Sequence, residues 1–267
     1  PKQMKKNKLT AEQNTSSTCI TGLIAVVGSD GTGKSTLTAD LVKNLQQYRP
    51  TERRYLGLIS GEDGDKIKKL PFIGVWLERR LAAKSDKTQR MSNRPPALWA
   101  ALIMYGFSLW RASNLRKVRR LAQSGVLVIS DRYPQAEISG FYYDGPGIGV
   151  ERAKGWLVSR LAARERRLYQ RMAVYRPALI IRLDIDVDTA FSRKPDHNYE
   201  ELEDKISAMV RLQYNGARII ELDARAPYDE VLSNALNAIS AVVNPAKRPQ
   251  SDIGQPGENA GEETQVY

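Results

Sequence analysis

The sequence predicts an α/β fold of three layers, in which a parallel five-stranded sheet is covered by helices on both faces. The first observation is that short apolar runs alternate with helical patterns along most of the chain. The second is a glycine-rich turn over 28–36, between the first apolar run and the first helical pattern. Right-handed crossovers place the carboxyl ends of parallel strands at one edge, where ligands bind. We therefore expect the chemical motifs to gather at that edge.

The first strand and the first helix flank the most informative motif. The apolar strand 23–28 leads into Gly28-Ser29-Asp30-Gly31-Thr32-Gly33-Lys34-Ser35-Thr36, which has the form G-x-x-x-x-G-K-[ST]. Apolar residues at helical spacing then predict a helix over 34–48. Glycines let backbone N–H groups turn toward an anion, and the helix N-terminus adds partial positive charge. A strand–helix turn without a ligand is the structural alternative.

This motif predicts a binding site for ATP and Mg²⁺ on a P-loop NTPase fold. Lys34 would place its charge beside the β- and γ-phosphates, and Ser35 would supply an oxygen to the metal. The expected nucleotide contacts come from Gly28, Ser29, Asp30, Gly31, Thr32, Gly33, Lys34, Ser35 and Thr36.

The chain between the second and third strands fits the α/β pattern least well. Strand 53–59 is followed by 60–96, which holds glycines, prolines and charges of both signs and is predicted to be an insertion with one helix near 72–84. Helix 97–123 begins with ALWAALIMYGFSLW, which is too short to span a bilayer, so we expect it to be buried. A helix on a membrane surface is the alternative, because the cationic residues 116–120 follow.

The third strand, 126–130, ends at a second charged motif, Asp131-Arg132-Tyr133. A carboxylate at the tip of a strand beside a P-loop can hold Mg²⁺ or its water shell, so Asp131 is the second candidate metal residue. Arg132 can then face phosphate. Taken alone, an Asp-Arg pair after a strand is also compatible with a solvated turn.

Helix 151–174 and the turn before it carry aromatic and basic candidates. Tyr142 could stack on a base, and ordinary packing is the alternative. The basic side chains on the helix are Arg164, Arg166, Arg167 and Arg171. Such a face is usually solvated, although it could contact an anionic partner.

The fourth strand, 178–185, leads into a segment near 189–200 that we interpret as a lid. It contains Arg193 and Lys194, and basic side chains on a loop over a P-loop can neutralise charge on a transferring phosphoryl group. We expect Asp186 or Asp188 to cap a helix. The remaining predicted elements are helix 200–213, strand 217–221 and helix 227–243.

Composition sets the domain limits and the expected partners. Residues 1–19 read as a basic flexible arm, 20–243 as the folded domain and 244–267 as a disordered tail. A net charge of +11 favours anionic partners. The single cysteine, Cys19, excludes an intramolecular disulfide and favours the cytoplasm. Nucleic acid is not expected, because no recognition module is present; a homodimer and peripheral membrane contact stay open.

The order of these motifs resembles that of the thymidylate kinases and thymidylate kinase-like P-loop nucleoside monophosphate kinases. The resemblance covers about 20–243, nearly the whole predicted domain. It rests on the P-loop, Arg111, Asp131-Arg132-Tyr133, Pro177 to Val187 followed by Arg193, and Asp223-Ala224 with Pro227 before the closing helix.

The resemblance implies roles for individual residues. Asp30 matches a carboxylate near the acceptor's sugar hydroxyl, and Arg111 matches the arginine that grips the acceptor's phosphate. Arg132 would lie between the donor and acceptor phosphates, and Arg193 matches the lid arginine.

Two departures from the family pattern concern catalysis and the acceptor. Gly31 and Thr32 stand where some relatives carry a catalytic arginine, so we infer that Arg193 and Lys194 supply the transition-state charge. The family's Arg-Glu-Pro segment after the second strand is replaced by LISGED over 58–63. The donor side therefore looks intact and the acceptor side rebuilt.

The sequence thus predicts an ATP-dependent kinase acting on a nucleotide or another small phosphate acceptor. The expected catalytic residues are Lys34, Asp131, Arg132, Arg193 and Lys194, the metal residues Ser35 and Asp131, and the substrate residues Asp30, Arg111, Arg132 and Tyr142. The alternative is an ATP-binding regulatory or assembly protein on the same scaffold.

Overall fold

The structure, a computed structural model, describes residues 18–57, 96–140 and 143–243. In this part of the chain, five strands form one parallel sheet in the order β2-β3-β1-β4-β5. The strands are β1 (Thr18–Gly28), β2 (Thr51–Tyr55), β3 (Leu127–Asp131), β4 (Tyr175–Asp184) and β5 (Ile219–Asp223). The helices are α1 (Lys34–Leu45), α2 (Leu98–Gln123), α3 (Trp156–Ala173), α4 (Val187–Arg193), α5 (Tyr199–Arg211) and α6 (Tyr228–Val243), with a 3₁₀ helix at Tyr214–Gly216. The predicted α/β fold of the P-loop NTPase type is confirmed.

The central strand β1 is buried on both faces, and its alternating side chains enter two different cores. Ile24 and Val26 point to the side covered by α1 and α6, where they join Leu37 and Ile239. Leu23, Ala25 and Val27 point to the opposite side, which is covered by α2 and α3. Successive side chains of a strand face opposite ways, so a strand between two helical layers must be apolar throughout. This explains the unbroken apolar run before the P-loop.

In its apolar first half, helix α2 buries one face and exposes the other. Met104 and Phe107 pack with Ile148 and other apolar residues near the start of α3. Trp99 and Leu102 on the other face are 54% and 52% exposed. The expectation of a buried helix therefore holds for half of its circumference. Within the described residues, none of the helices combines the length and the apolarity needed to cross a membrane.

Several element boundaries differ from those predicted. Strand β1 begins at Thr18 rather than at 23, because residues 18–20 pair with the start of β4 before a register shift. Helix α3 begins at Trp156 rather than at 151, because Gly155 has a φ of 79° that interrupts helical geometry. The predicted helix near 72–84, residues 60–95 of the predicted insertion and the tail 244–267 lie outside the described residues.

The sheet brings the first two charged motifs together at its carboxyl edge. Strands β1 and β3 are parallel neighbours, and Val26 of β1 is in register with Asp131 of β3. The P-loop starts two residues after Val26, so it emerges beside the end of β3. Aspartates Asp184 and Asp223 end β4 and β5 at the same edge.

Candidate functional site

The P-loop backbone adopts conformations that glycine makes accessible. Gly31 and Gly33 have φ values of 88° and 82°, in the left-handed region that other residues avoid. A Cβ added at Gly28 would lie 2.9 Å from the carbonyl oxygen of Leu183, so the loop passes close to β4. A Cβ at Gly33 would meet nothing within 4 Å, so there is open space directly before α1.

The N-terminus of α1 opens onto this space. Gly33 precedes the helix and contributes no side-chain cap, and the first N–H groups of a helix have no partner within it. No acidic residue lies in the first helical turn. Uncapped N–H groups and the helix dipole together attract an anion, and phosphate is the anion this geometry suits best.

Lys34 is buried inside the loop that it would use to hold a phosphate. Its ammonium group donates to the carbonyl oxygen of Ser29 and lies 3.4 Å from the hydroxyl oxygen of Thr32. Burial and the nearby charge of Arg132 lower the pKa of Lys34 from 10.5 to about 8, against the opposite effect of Asp30 and Asp131. The nearby carboxylates offset only part of the cost of burying the Lys34 ammonium group. An anionic ligand beside that group would therefore stabilise it.

Ser35 and Asp131 form the contact expected of a metal site. The Ser35 hydroxyl donates to Asp131 Oδ2 over 2.9 Å. Both oxygens are hard ligands of the kind Mg²⁺ prefers, so these residues fit that ion. The same carboxylate oxygen also accepts a hydrogen bond of 3.1 Å from Arg53 of β2. Among the residues described, no cluster of three or more His, Cys, Asp or Glu side chains has the arrangement of a metal site built from protein ligands alone.

Asp30 joins the P-loop to a second group of charged residues. Its carboxylate accepts hydrogen bonds from Arg132 at 3.2 Å and from Lys205 of α5 at 2.8 Å, and His197 Nε2 lies 3.8 Å away. Burial alone would raise the pKa of Asp30, but Lys205, Arg132 and Lys34 outweigh it and hold the pKa well below its usual range. These cations therefore favour the ionised form of Asp30.

Asp144 lies between the two arginines that the resemblance assigns to the acceptor. Its Oδ1 accepts a hydrogen bond of 2.6 Å from Arg111, and its Oδ2 accepts one of 3.4 Å from Arg132. Arg132 and Asp144 have φ values of 69° and 60°, which are uncommon for residues other than glycine. Backbone strain of this kind concentrates at functional sites.

Arg111 is completely enclosed, with 0% of its surface exposed. Besides the Asp144 carboxylate, it donates to the Asp144 carbonyl oxygen at 2.9 Å and to the Tyr169 hydroxyl at 3.1 Å. Burial alone would lower the pKa of Arg111, but Tyr169 and Asp144 outweigh that effect and raise it. The guanidinium group is thus charged, paired and buried.

The predicted lid residues lie at the end of α4, next to the P-loop. Arg193 donates to the carbonyl oxygens of Ala224 at 3.0 Å and of Gly31 at 3.4 Å. Lys194 follows directly and is exposed. Asp186 caps α4 by accepting from the Thr189 N–H at 2.8 Å, which confirms the expected capping role. Tyr142 lies outside the described residues.

Besides Asp144, three further residues of the site were not predicted as site residues. Arg53 and Lys205 reach the site from β2 and α5. Glu165 of α3 is buried against α2 and the loop before α3. Glu165 accepts hydrogen bonds from the Ser108 hydroxyl at 2.6 Å and from two backbone N–H groups of that loop. Alternation along β2 and the i,i+4 pairing of Glu201 with Lys205 are the only local signals for the first two.

Comparison with other proteins places the chain beside bacterial relatives. No protein-family model matches the chain. It is 73% identical over 223 residues to the "Uncharacterized ATP-binding protein YghR" of Escherichia coli K12, a match that covers 84% of this chain and 88% of the relative. It is 47% identical over 223 residues to the "Uncharacterized ATP-binding protein YghS" of the same strain, covering 83% of this chain and 94% of the relative.

Proposed function

The chain belongs to the family of ATP-binding proteins that includes YghR and YghS, and on that premise we propose that it is an ATP-dependent phosphotransferase. In this proposal it binds ATP at the P-loop and transfers the γ-phosphoryl group to a small acceptor of the nucleoside or nucleoside monophosphate class. The name of each relative refers to ATP binding, and the step from binding to transfer is ours.

One observation carries the proposal: Asp30 belongs at once to the P-loop and to the charged group beyond it. A protein that only binds or hydrolyses ATP needs the phosphate seat and the metal residues. Here the hydrogen bonds of Asp30 to Arg132 and Lys205 connect that seat to a second polar region. Two adjoining polar regions suit a reaction with two substrates, since such catalysis consists chiefly of positioning and charge stabilisation.

The chain's own residues supply most of the catalytic contributions in this scheme. The α1 N-terminus and Lys34 would hold the β- and γ-phosphates, and Arg132 would stabilise charge as it develops on the transferring group. Mg²⁺ bound by Ser35 and Asp131 would neutralise charge on the β- and γ-phosphate oxygens. Arg193 and Lys194 would add positive charge from α4.

The reaction follows from these positions. An acceptor oxygen forms a bond to the γ-phosphorus while the bond from that phosphorus to the β–γ bridging oxygen breaks, and its electron pair leaves with ADP. Asp30 orients the acceptor by accepting a hydrogen bond from it. The weak basicity of Asp30 is sufficient, because a loose phosphoryl-transfer transition state needs little help from a base.

Coupled measurement of ADP release, with and without a panel of nucleosides and nucleoside monophosphates, tests the proposal. We expect at least one acceptor to raise the rate, and Lys34→Met to abolish the stimulation. Lys43→Met removes an exposed lysine from the same helix and serves as the matched control. ATP binding without stimulation by any acceptor contradicts the proposal.

A second candidate function is ATP-dependent regulation or assembly of a partner. It is favoured by the pairing of Arg111 and Arg132 with Asp144, which leaves the acceptor side unlike an open phosphate site. This function predicts slow ATP hydrolysis at a rate that no small acceptor changes.

A further inference from the structure

We infer that the acceptor at this site carries no phosphate and is an uncharged compound that presents a hydroxyl group, because Asp144 already occupies the anion position between Arg111 and Arg132. This inference rests on the proposed function and narrows it to one class of substrate. In it, Asp144 is a built-in carboxylate that takes the place of an acceptor phosphate.

The lysine and arginine side chains that bond Asp30 or Asp144 already have carboxylate partners. In the part of the chain that the structure describes, three such cations pair with three carboxylates. The cations are Arg111, Arg132 and Lys205, and the carboxylates are Asp30, Asp144 and Glu201. A phosphate monoester would bring about two further negative charges to cations that are already paired with carboxylates. An uncharged acceptor meets no such repulsion.

Arg111 cannot reach a ligand in this arrangement. It has no exposed surface, and its guanidinium group already donates to the side chain and to the carbonyl oxygen of Asp144. A phosphate that used Arg111 would first have to displace Asp144. That displacement would leave the displaced carboxylate and the arginine to find new partners in a region with little water.

The loop that carries Asp144 is anchored on both sides. The side-chain amide of Gln135 donates to the Tyr143 carbonyl oxygen at 2.9 Å, and the backbone N–H of Gln135 donates to the Asp144 carbonyl oxygen at 3.2 Å. On the other side, Glu165 accepts hydrogen bonds from the backbone N–H groups of Gly147 and Ile148. A Cβ added at Gly145 would lie 2.0 Å from the Ile138 carbonyl oxygen, so the loop also packs too tightly for a larger residue. These contacts hold Asp144 between the arginines as a fixed part of the site.

The reaction with such an acceptor is balanced. The acceptor hydroxyl donates a hydrogen bond to Asp30 as its oxygen bonds to the γ-phosphorus. The bond to the β–γ bridging oxygen breaks toward ADP, and the hydroxyl proton passes to solvent. The products are a phosphate monoester, ADP and a proton.

The first arm of the test compares matched acceptor pairs, each a nucleoside and its 5′-monophosphate, in coupled ADP release by the wild-type protein. We expect kcat/KM for the nucleoside to be at least about tenfold higher than kcat/KM for its monophosphate. A preference for the monophosphate overturns the inference and leaves the proposed function standing. Stimulation by neither member contradicts the proposed function and overturns the inference with it, so the two failures are told apart by whether the monophosphate stimulates.

The second arm measures whether Asp144 fills an anion site. Thermal unfolding is followed during titration with inorganic phosphate, with chloride keeping the ionic strength constant, in a Lys34→Met background that removes the cation of the P-loop. We expect phosphate to stabilise the Asp144→Ala form and to bind it at least about tenfold more tightly than the form with Asp144. Glu151→Ala, which removes an exposed carboxylate from the same loop region, is the control.

The remaining outcomes of this arm are also decisive. Equal stabilisation by phosphate with and without Asp144 overturns the inference, and so does the absence of stabilisation in Asp144→Ala. If Asp144→Ala does not fold, Asp144→Asn removes the charge while keeping the size of the side chain, and the same comparison applies.

Discussion

The hydroxyl of Ser35 donates a 2.9 Å hydrogen bond to the carboxylate of Asp131, although 96 positions separate the two residues in sequence. The contact exists because β1 and β3 are parallel neighbours whose carboxyl ends lie side by side. It brings together the last part of the P-loop and the tip of the third strand. Every functional expectation for this chain depends on that juxtaposition.

The Ser35–Asp131 hydrogen bond is expected to contribute measurably to stability. A double-mutant cycle with Ser35→Ala and Asp131→Asn should give a coupling energy of about 1.5–3 kcal/mol, the range for hydrogen bonds to charged groups. Urea denaturation of the four proteins without nucleotide measures it. Strictly additive effects would show that the two side chains do not interact in solution.

Lys34 should make stability depend on pH in the alkaline range. Its pKa is lowered in the folded state from 10.5 to about 8, so between these values the unfolded chain holds a proton that the folded chain has released. Stability contributed by this group therefore rises with pH across the interval, by up to about 3 kcal/mol at 1.4 kcal/mol per unit.

Comparison with Lys34→Met isolates that contribution. The free energy of unfolding of Lys34→Met should exceed that of wild type by the largest amount near pH 7.5. This excess should shrink as the pH approaches 10. Lys43→Met should show no such trend, because Lys43 is exposed. A pH-independent difference between Lys34→Met and wild type speaks against a lowered pKa.

Arg53 should affect the magnesium requirement more than the maximal rate. Its guanidinium group bonds the same Asp131 oxygen that a metal would use, at 3.1 Å. Arg53→Gln should therefore lower the Mg²⁺ concentration for half-maximal ADP release, because a competing cation is removed. Arg54→Gln is the control, since Arg54 pairs with Glu52 instead. A higher Mg²⁺ requirement in Arg53→Gln would mean that the arginine supports the metal site.

Glu165 should position the Asp144 loop without touching a substrate. Glu165→Gln keeps the size of the side chain but turns one acceptor oxygen into a donor that faces other donors, which should cost about 1–3 kcal/mol of stability. We also expect the KM for the acceptor to rise while the affinity for ATP stays unchanged. Arg166→Gln, on the exposed face of α3, should change neither quantity. An equal loss of ATP affinity in Glu165→Gln would indicate general unfolding rather than a local role.

Local patterns in the sequence account for the fold and for the P-loop side of the site. The apolar run before Gly28, the P-loop and the strand tip at Asp131 are contiguous signals, and parallel topology then fixes their proximity. The region around Asp144, where we propose that the acceptor binds, depends on contacts between distant segments. Nothing near Asp144 in the sequence shows that it pairs with Arg111, since the pair forms only when α2 packs against the loop before α3. Arg53 and Lys205 were missed for the same reason.

The most direct test of the account follows the label from ATP carrying ³²P in its γ-phosphate, in the presence of Mg²⁺ and the panel of nucleosides and nucleoside monophosphates. The account predicts that the label appears in a phosphorylated acceptor, and that Lys34→Met forms none. Label that is found only in unreacted ATP and inorganic phosphate, whichever acceptor is supplied, would contradict phosphoryl transfer and leave ATP binding or hydrolysis as the activity of the P-loop.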